Sequence, residues 1–87
     1  MINVQSGRGF VPLAWILISC MPGCERDVYL QLLDMPGVSE VSVVYGELDL
    51  VARIDFENDR EMSKMLIEDM RILVGVKKTE TLIAVEV

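Results

Sequence analysis

Hydrophobic positions in the first half of this chain follow a strand pattern and then a helical one. Residues 13–20 are apolar at nearly every position, which is typical of a strand covered on both faces. Residues 24–35 then place their apolar side chains at helical spacing. Pro36-Gly37 ends this predicted helix, because proline cannot continue it and glycine is common just beyond a helix. The apolar stripe of the helix consists of Val28, Leu32 and Met35.

The second half repeats this order after a hairpin. Residues 38–45 and 48–56 alternate apolar and polar positions, as half-buried strands do, and Gly46-Glu47 between them predicts a tight reversal. Asn58 or Asp59 can cap a second helix. The apolar stripe of this helix comprises Met62, Met65, Leu66, Met70 and Leu73, and residues 76–87 follow as a last strand.

The resulting order is βαββαβ, with Gly37 and Gly75 at equivalent positions of the two copies. This order predicts an α+β, ferredoxin-like fold in which two helices cover one face of a four-stranded antiparallel sheet. We expect an amino-terminal arm over residues 1–12 and a single domain over residues 13–87. The first strand is apolar on both faces, so the sheet face without helices needs a partner, and a symmetric dimer would supply it.

Composition and charge exclude several classes of function. With 8 basic and 14 acidic residues the net charge is −6, and only Lys77-Lys78 forms a basic pair, so direct nucleic-acid binding is not expected. The chain has no histidine, and no nucleophile–base pair or glycine-rich phosphate loop is recognisable. We therefore expect no enzyme activity, no metal site and no cofactor.

The cysteines and the amino-terminal apolar run bear on the compartment. Cys20 and Cys24 flank a turn and are expected as small buried apolar residues, although one bridge between them is possible. The apolar run over residues 10–18 is too short to span a bilayer. A signal peptide is the alternative, but its removal would delete the first strand. We expect a mature cytoplasmic chain that does not enter the membrane.

One group of residues suggests a binding site. A hairpin with the acidic residues Glu47 and Asp49 beside Gly46 could hold a ligand ammonium group, and the hydroxyls of Thr79 and Thr81 could help to hold its carboxylate. This is how a free amino acid could be bound without catalytic groups. In the alternative interpretation, the glycine permits the turn, the acids solvate it and the threonines are ordinary strand residues.

These segments together resemble the effector-binding and oligomerisation (RAM) domain of the Lrp/AsnC family of feast/famine regulators. The resemblance implies a dimeric α+β barrel, further assembly into octamers or rings, and amino-acid effectors bound between dimers. It assigns ligand contacts to Gly46, Glu47, Asp49, Thr79 and Thr81, whereas Leu48 replaces an aromatic residue common in the family. The matching segments are residues 15–18, 35–38, 43–51 and 76–82.

Only about a dozen residues precede the first predicted strand, too few for the helix-turn-helix of such regulators. The sequence therefore suggests a stand-alone version of the domain that senses an amino acid and modulates full-length regulators by co-assembly. Two alternatives share the predicted fold. One is a small enzyme of the dimeric α+β barrel class, and the other is an amino-acid-binding regulatory domain of the ACT type.

Overall fold

The computed structural model describes residues 10–85 and confirms the ferredoxin-like arrangement. Strands β1 (Phe10–Cys20), β2 (Val38–Val43), β3 (Leu50–Asp55) and β4 (Val76–Val85) form one antiparallel sheet in the order β2-β3-β1-β4. Helix α1 (Glu25–Leu33) follows β1, and a second helical segment follows β3. β1 lies between β3 and β4, so both of its edges are paired, and one of its two apolar faces is turned towards the helices.

The second helical segment is less regular than the sequence predicts. It begins as α2 (Asp59–Ser63), continues as a π-helix over Lys64–Asp69 and ends in a 3₁₀ turn over Met70–Ile72. Asn58 caps it as predicted, because its Oδ1 accepts a hydrogen bond from the Glu61 amide at 2.9 Å. In return, the Glu61 carboxylate accepts a bond from the Glu57 amide at 3.1 Å, an arrangement similar to a capping box but with the residue before the N-cap as the donor.

The hydrophobic core lies between the sheet and the two helical segments. The helix-facing residues of β1 and β3 are almost completely inaccessible, and so are two residues of the predicted stripe on α1. Each buried Val, Leu or Ile stabilises the fold by about 1.5–3 kcal/mol relative to exposure. Met65, Met70 and Leu73 close the core from the second helical segment. The fully buried residues include Ala14, Ile16, Ile18, Val28, Leu32, Leu50 and Ala52.

Strand boundaries differ from the prediction at two places. β1 begins at Phe10, three residues earlier than expected. The predicted two-residue reversal at Gly46-Glu47 is wrong, because β2 ends at Val43 and β3 begins at Leu50. The intervening six-residue loop is closed by a 3.0 Å hydrogen bond from the Val44 amide to the Asp49 carbonyl. Residues 1–9, which make up most of the predicted arm, and residues 86–87 lie outside the described residues.

The sheet face opposite the helices has a mixed surface with an aromatic centre. Trp15 of β1 lies in register with Arg53 of β3 and Leu82 of β4. The Arg53 guanidinium is 5.8 Å from the centroid of the Trp15 ring and forms an ion pair with Asp55 at 3.3 Å. Leu82 leaves 47% of its surface exposed, so this face presents apolar area. Within residues 10–85, neither helical segment has the length and hydropathy needed to cross a bilayer.

Candidate functional site

The loop between β2 and β3 projects two of the predicted ligand residues into solvent. Gly46 has a φ of +135°, a conformation that favours glycine, and a Cβ there would have no atom within 4 Å. Glu47 is exposed, and its side chain has no hydrogen bond or ion pair with any described residue. Tyr45 beside them is fully exposed. The loop tip therefore offers a free carboxylate next to an accessible backbone.

Asp49 has a structural role that the sequence did not reveal. Its Oδ2 accepts a hydrogen bond from the Cys20 amide at 2.7 Å, and its own amide donates to the Ile18 carbonyl at 3.0 Å. Both contacts attach the loop to the end of β1. Asp49 is half-buried, and with one hydrogen bond made by Oδ2 its carboxylate retains acceptor capacity for a ligand.

Thr79 and Thr81 lie on the outer edge of the sheet, beyond β1. In the β1–β4 pairing Thr79 is opposite Ile18 and Thr81 is opposite Ile16, and both threonines are exposed. Two strand spacings of about 4.8 Å separate β3 from β4, so the threonines are about 10 Å from the strand that follows the loop. The five predicted ligand residues therefore form two separate groups in one chain. β1 lies between the two groups.

Thr79 borders a cleft of about 400 Å³ between the second helical segment and β4. The lining of this cleft includes the cations Arg71, Lys77 and Lys78 and contains no acidic residue. The sequence analysis did not treat these cations as site residues, although Lys77-Lys78 directly precedes Thr79. The cleft thus adds positive charge to the threonine hydroxyls, which suits a carboxylate. Its other lining residues are Leu66, Met70, Leu73 and Val76.

The cysteines beside this region do not form a reactive pair. Both Cys20 and Cys24 are free thiols, and Cys20 is buried, as the sequence predicted for it. Burial raises the pKa of Cys20, and the nearby Asp49 carboxylate raises it further. A thiol with a raised pKa is a poor nucleophile near neutral pH. Cys20 is therefore not suited to act as a nucleophile.

Comparisons with known proteins identify the family. Residues 14–87 match the family model described as "Lrp/AsnC ligand binding domain". The chain is 34% identical over 74 residues to the uncharacterised HTH-type transcriptional regulator PF0250 of Pyrococcus furiosus. That match covers 82% of this chain and 49% of the relative, so the chain spans about half the length of the curated relatives it matches.

Solved structures give the same result for the fold. The crystal structure of FFRP-DM1 superposes with a TM-score of 0.78 at 36% identity, covering 83% of this chain and 96% of that one. The structure of the transcriptional regulator NMB0573 in complex with L-Met, from Neisseria meningitidis, superposes with a TM-score of 0.74. At 16% identity, with 94% of this chain and 59% of that chain covered, it supports the fold alone. This chain belongs to the Lrp/AsnC family, and the matched region is the ligand-binding domain of that family.

Proposed function

We propose that this domain binds a free α-amino acid at a contact between subunits. The acidic loop of one subunit, with Gly46, Glu47 and Asp49, binds the ammonium group. The Thr79 cleft of a second subunit, with Thr79 and Thr81, binds the carboxylate. The ligand thus joins two surfaces of opposite charge, each of which is incomplete alone.

The observation that carries this proposal is the separation of the two groups within one chain. Glu47 is exposed without a partner among the described residues, whereas the Thr79 cleft contains three cations and no acid. β1 lies between the two groups within one chain, and we infer that the complete site forms between subunits. Apposition of two subunits would bring together a carboxylate and a cationic cleft, which is the complement of a zwitterion.

The open sheet face supports assembly. Trp15, Leu17 and Val51 are only half-buried on this face, and Leu82 extends the apolar area to β4. Two copies facing each other would cover this area and form a dimeric α+β barrel. Amino-acid binding between such dimers would give octamers or rings.

The relatives support a proposal for the biological role. The match covers about half the length of curated relatives such as PF0250, which are HTH-type transcriptional regulators. We infer that the chain senses an amino acid and modulates full-length regulators of this family by co-assembly through the shared domain. With its net charge of −6 it does not bind nucleic acid directly, and it is not an enzyme. This role places it in the cytoplasm.

One solved structure shows what this fold can bind. The neighbour from Neisseria meningitidis is a transcriptional regulator in complex with L-Met, and it shares the fold of this domain. That fold can therefore hold a free amino acid in at least one protein.

Complementation between two defective variants tests the proposal. Glu47→Gln removes the exposed carboxylate of the loop, and Thr79→Val removes a hydroxyl at the cleft. Each change should weaken binding of the best amino acid by about tenfold, since a hydrogen bond to a charged group contributes roughly 1.5–3 kcal/mol. Glu68→Gln is the matched control, because Glu68 is exposed and lines neither the cleft nor the loop.

Co-expressing the two variants then distinguishes a shared site from a site within one chain. With random assembly, about a quarter of the loop–cleft contacts would combine two unaltered halves and regain wild-type affinity. Calorimetry on the mixed assembly should detect this fraction. If no sites in the mixed assembly regain wild-type affinity, the ligand does not bind between subunits. Wild-type affinity in both single variants would overturn the assignment of these residues.

A further inference from the structure

A second cleft lies in the helical layer, away from the loop and from Thr79. It has a volume of about 440 Å³ and is formed by the end of α1, the loop after it and the second helical segment. This volume is within the usual range for small-molecule sites, roughly 300–1,000 Å³. The lining residues are Gln31, Asp34, Met35, Pro36, Lys64, Asp69, Ile72 and Leu73.

The π-helix brings two opposite charges together in this cleft. The Lys64 ammonium lies 3.3 Å from Oδ1 and 3.5 Å from Oδ2 of Asp69, five residues further on. In a regular α-helix, residues five apart point about 140° away from each other. The wider turn of the π-helix, with i→i+5 hydrogen bonds, reduces this divergence. Single π-turns are frequent at functional sites.

The opposite wall of the cleft is held in place and bears a free carboxylate. The Gln31 amide donates to the Val74 carbonyl at 2.9 Å and accepts from the Val74 amide at 3.0 Å. This pair of bonds fixes α1 against the segment that enters β4. Asp34, one helical turn beyond Gln31, makes no side-chain hydrogen bond or ion pair with any residue in the described range.

We propose that this cleft is a second ligand site, complete within one subunit, for a small zwitterion with an apolar side chain. The Lys64 ammonium retains donor capacity for a carboxylate, since its side chain is 61% exposed. The carboxylates of Asp34 and Asp69 accept from the ligand ammonium. The apolar side chain packs on Met35, Ile72 and Leu73, which line the same cleft.

This site differs from the proposed loop site in one testable respect. The loop site needs two subunits, whereas all the groups of the helical cleft belong to one chain. The two sites share no residue except Leu73, which borders both the helical cleft and the Thr79 cleft. A substitution can therefore disable one site and leave the residues of the other site unchanged.

Titration of the ¹⁵N-labelled protein with L-leucine, followed by NMR, tests the inference. Backbone signals of residues 31–36 and 64–73 should shift with saturation. Asp34→Asn and Lys64→Met should each weaken this response by about ten- to a hundredfold, whereas Thr79→Val should leave it unchanged. Glu68→Gln is the control for a loss of charge outside the cleft. Isoamylamine and 4-methylpentanoate lack one charged group each, so both should bind at least about tenfold more weakly than leucine.

Two results would overturn the inference. Shifts confined to residues 44–49 and 76–81 would assign leucine to the subunit contact alone and leave the proposed function intact. The second result is equal shifts of the backbone signals in wild type and Asp34→Asn, when circular dichroism shows that both proteins are folded. It would show that the cleft does not recognise the ammonium group. Shifts at the cleft that vanish in Asp34→Asn but persist in Thr79→Val would support the second site whatever happens at the loop.

Discussion

Asp49 illustrates, at the scale of single residues, how one carboxylate can serve both fold and site. Sequence reasoning placed it in a ligand-binding loop because it follows Gly46 and Glu47. The structure shows that its Oδ2 accepts the Cys20 amide of a strand 29 residues away. This contact could not be predicted from local sequence, because it depends on how β1 and β3 pair. Glu47, by contrast, lies where the loop pattern suggested, in solvent.

The first prediction compares how much Asp49 and Glu47 each contribute to the free energy of unfolding. Asp49→Ala should lower the free energy of unfolding by about 1–3 kcal/mol, because it leaves the Cys20 amide without its partner. Glu47→Ala should change it by less than about 0.5 kcal/mol, as surface substitutions usually do. Urea denaturation followed by circular dichroism measures both values. Equal stabilities for the two variants would contradict the role assigned to the Asp49 side chain.

The second prediction concerns Cys20 at alkaline pH. Because burial raises the pKa of this thiol above its ordinary value of 9.0, the unfolded chain ionises before the folded one. The neutral Cys20 thiol makes its full contribution to the free energy of unfolding below pH 9.0, the ordinary pKa of the thiol. That contribution is lost as the pH rises through the raised pKa of the folded state. Between about pH 8 and 10, unfolding free energy should fall more steeply in wild type than in Cys20→Ala. Parallel pH profiles would show that Cys20 does not contribute.

Contacts between elements explain why the helical layer is less predictable than the sheet. The period-two pattern of β3 directly encodes which of its faces is buried, and Leu50, Ala52 and Ile54 are almost completely inaccessible. The second apolar stripe predicted a single helix, but it did not reveal the π-helix. Met65 and Met70 are five residues apart and both buried, and the wider turn of the π-helix brings their side chains closer to one direction than a regular α-helix would.

The loop and the Thr79 cleft were predictable to different degrees. Gly46 and the alternating flanks identified a hairpin, but the loop is six residues long because Val44 pairs with Asp49. The cationic cleft went unrecognised because Arg71 and Lys77 belong to different elements, which only the tertiary fold brings together. Residue types at a site are thus easier to infer than their grouping.

The third prediction tests the pair of hydrogen bonds that joins Gln31 of α1 to Val74, in the segment before β4. Gln31→Ala removes the two hydrogen bonds to Val74, and the free energy of unfolding should fall by about 1 kcal/mol. Arg26→Ala is the control, since Arg26 is an exposed residue on the same helix. Chemical denaturation measures the difference between them. An identical denaturation midpoint for both variants would show that the Gln31–Val74 hydrogen bonds do not stabilise the fold.

The whole molecule is a small domain with one sheet face covered by helices and the other open. A domain of 87 residues buries only about 60–65% of the surface that its unfolded chain exposes, so association adds substantial stability. The row of Trp15, Arg53 and Leu82 crosses three strands of the open face. This surface accounts for the high apolar content of the sequence, which the core of one subunit does not use completely.

The fourth prediction concerns assembly. Light scattering at low micromolar concentration should give at least twice the chain mass of 9.8 kDa. Leu17→Asp places a charge in the centre of the open face and should yield a monomer. Leu30→Asp is the control, because Leu30 is an exposed apolar residue on α1, and this variant should remain at least a dimer. A wild-type monomer under these conditions would contradict the facing-sheet arrangement.

The central claim is that this domain binds a free amino acid, and calorimetry of the purified chain with the complete set of proteinogenic amino acids tests it most directly. The account predicts that at least one of them binds at millimolar concentration or below. It also predicts that Glu47→Gln and Thr79→Val each weaken that binding by about tenfold, as expected for a lost charge-assisted contact. If no amino acid binds at millimolar concentration, the effector role is wrong for this chain, and a purely structural role in assembly becomes the better account.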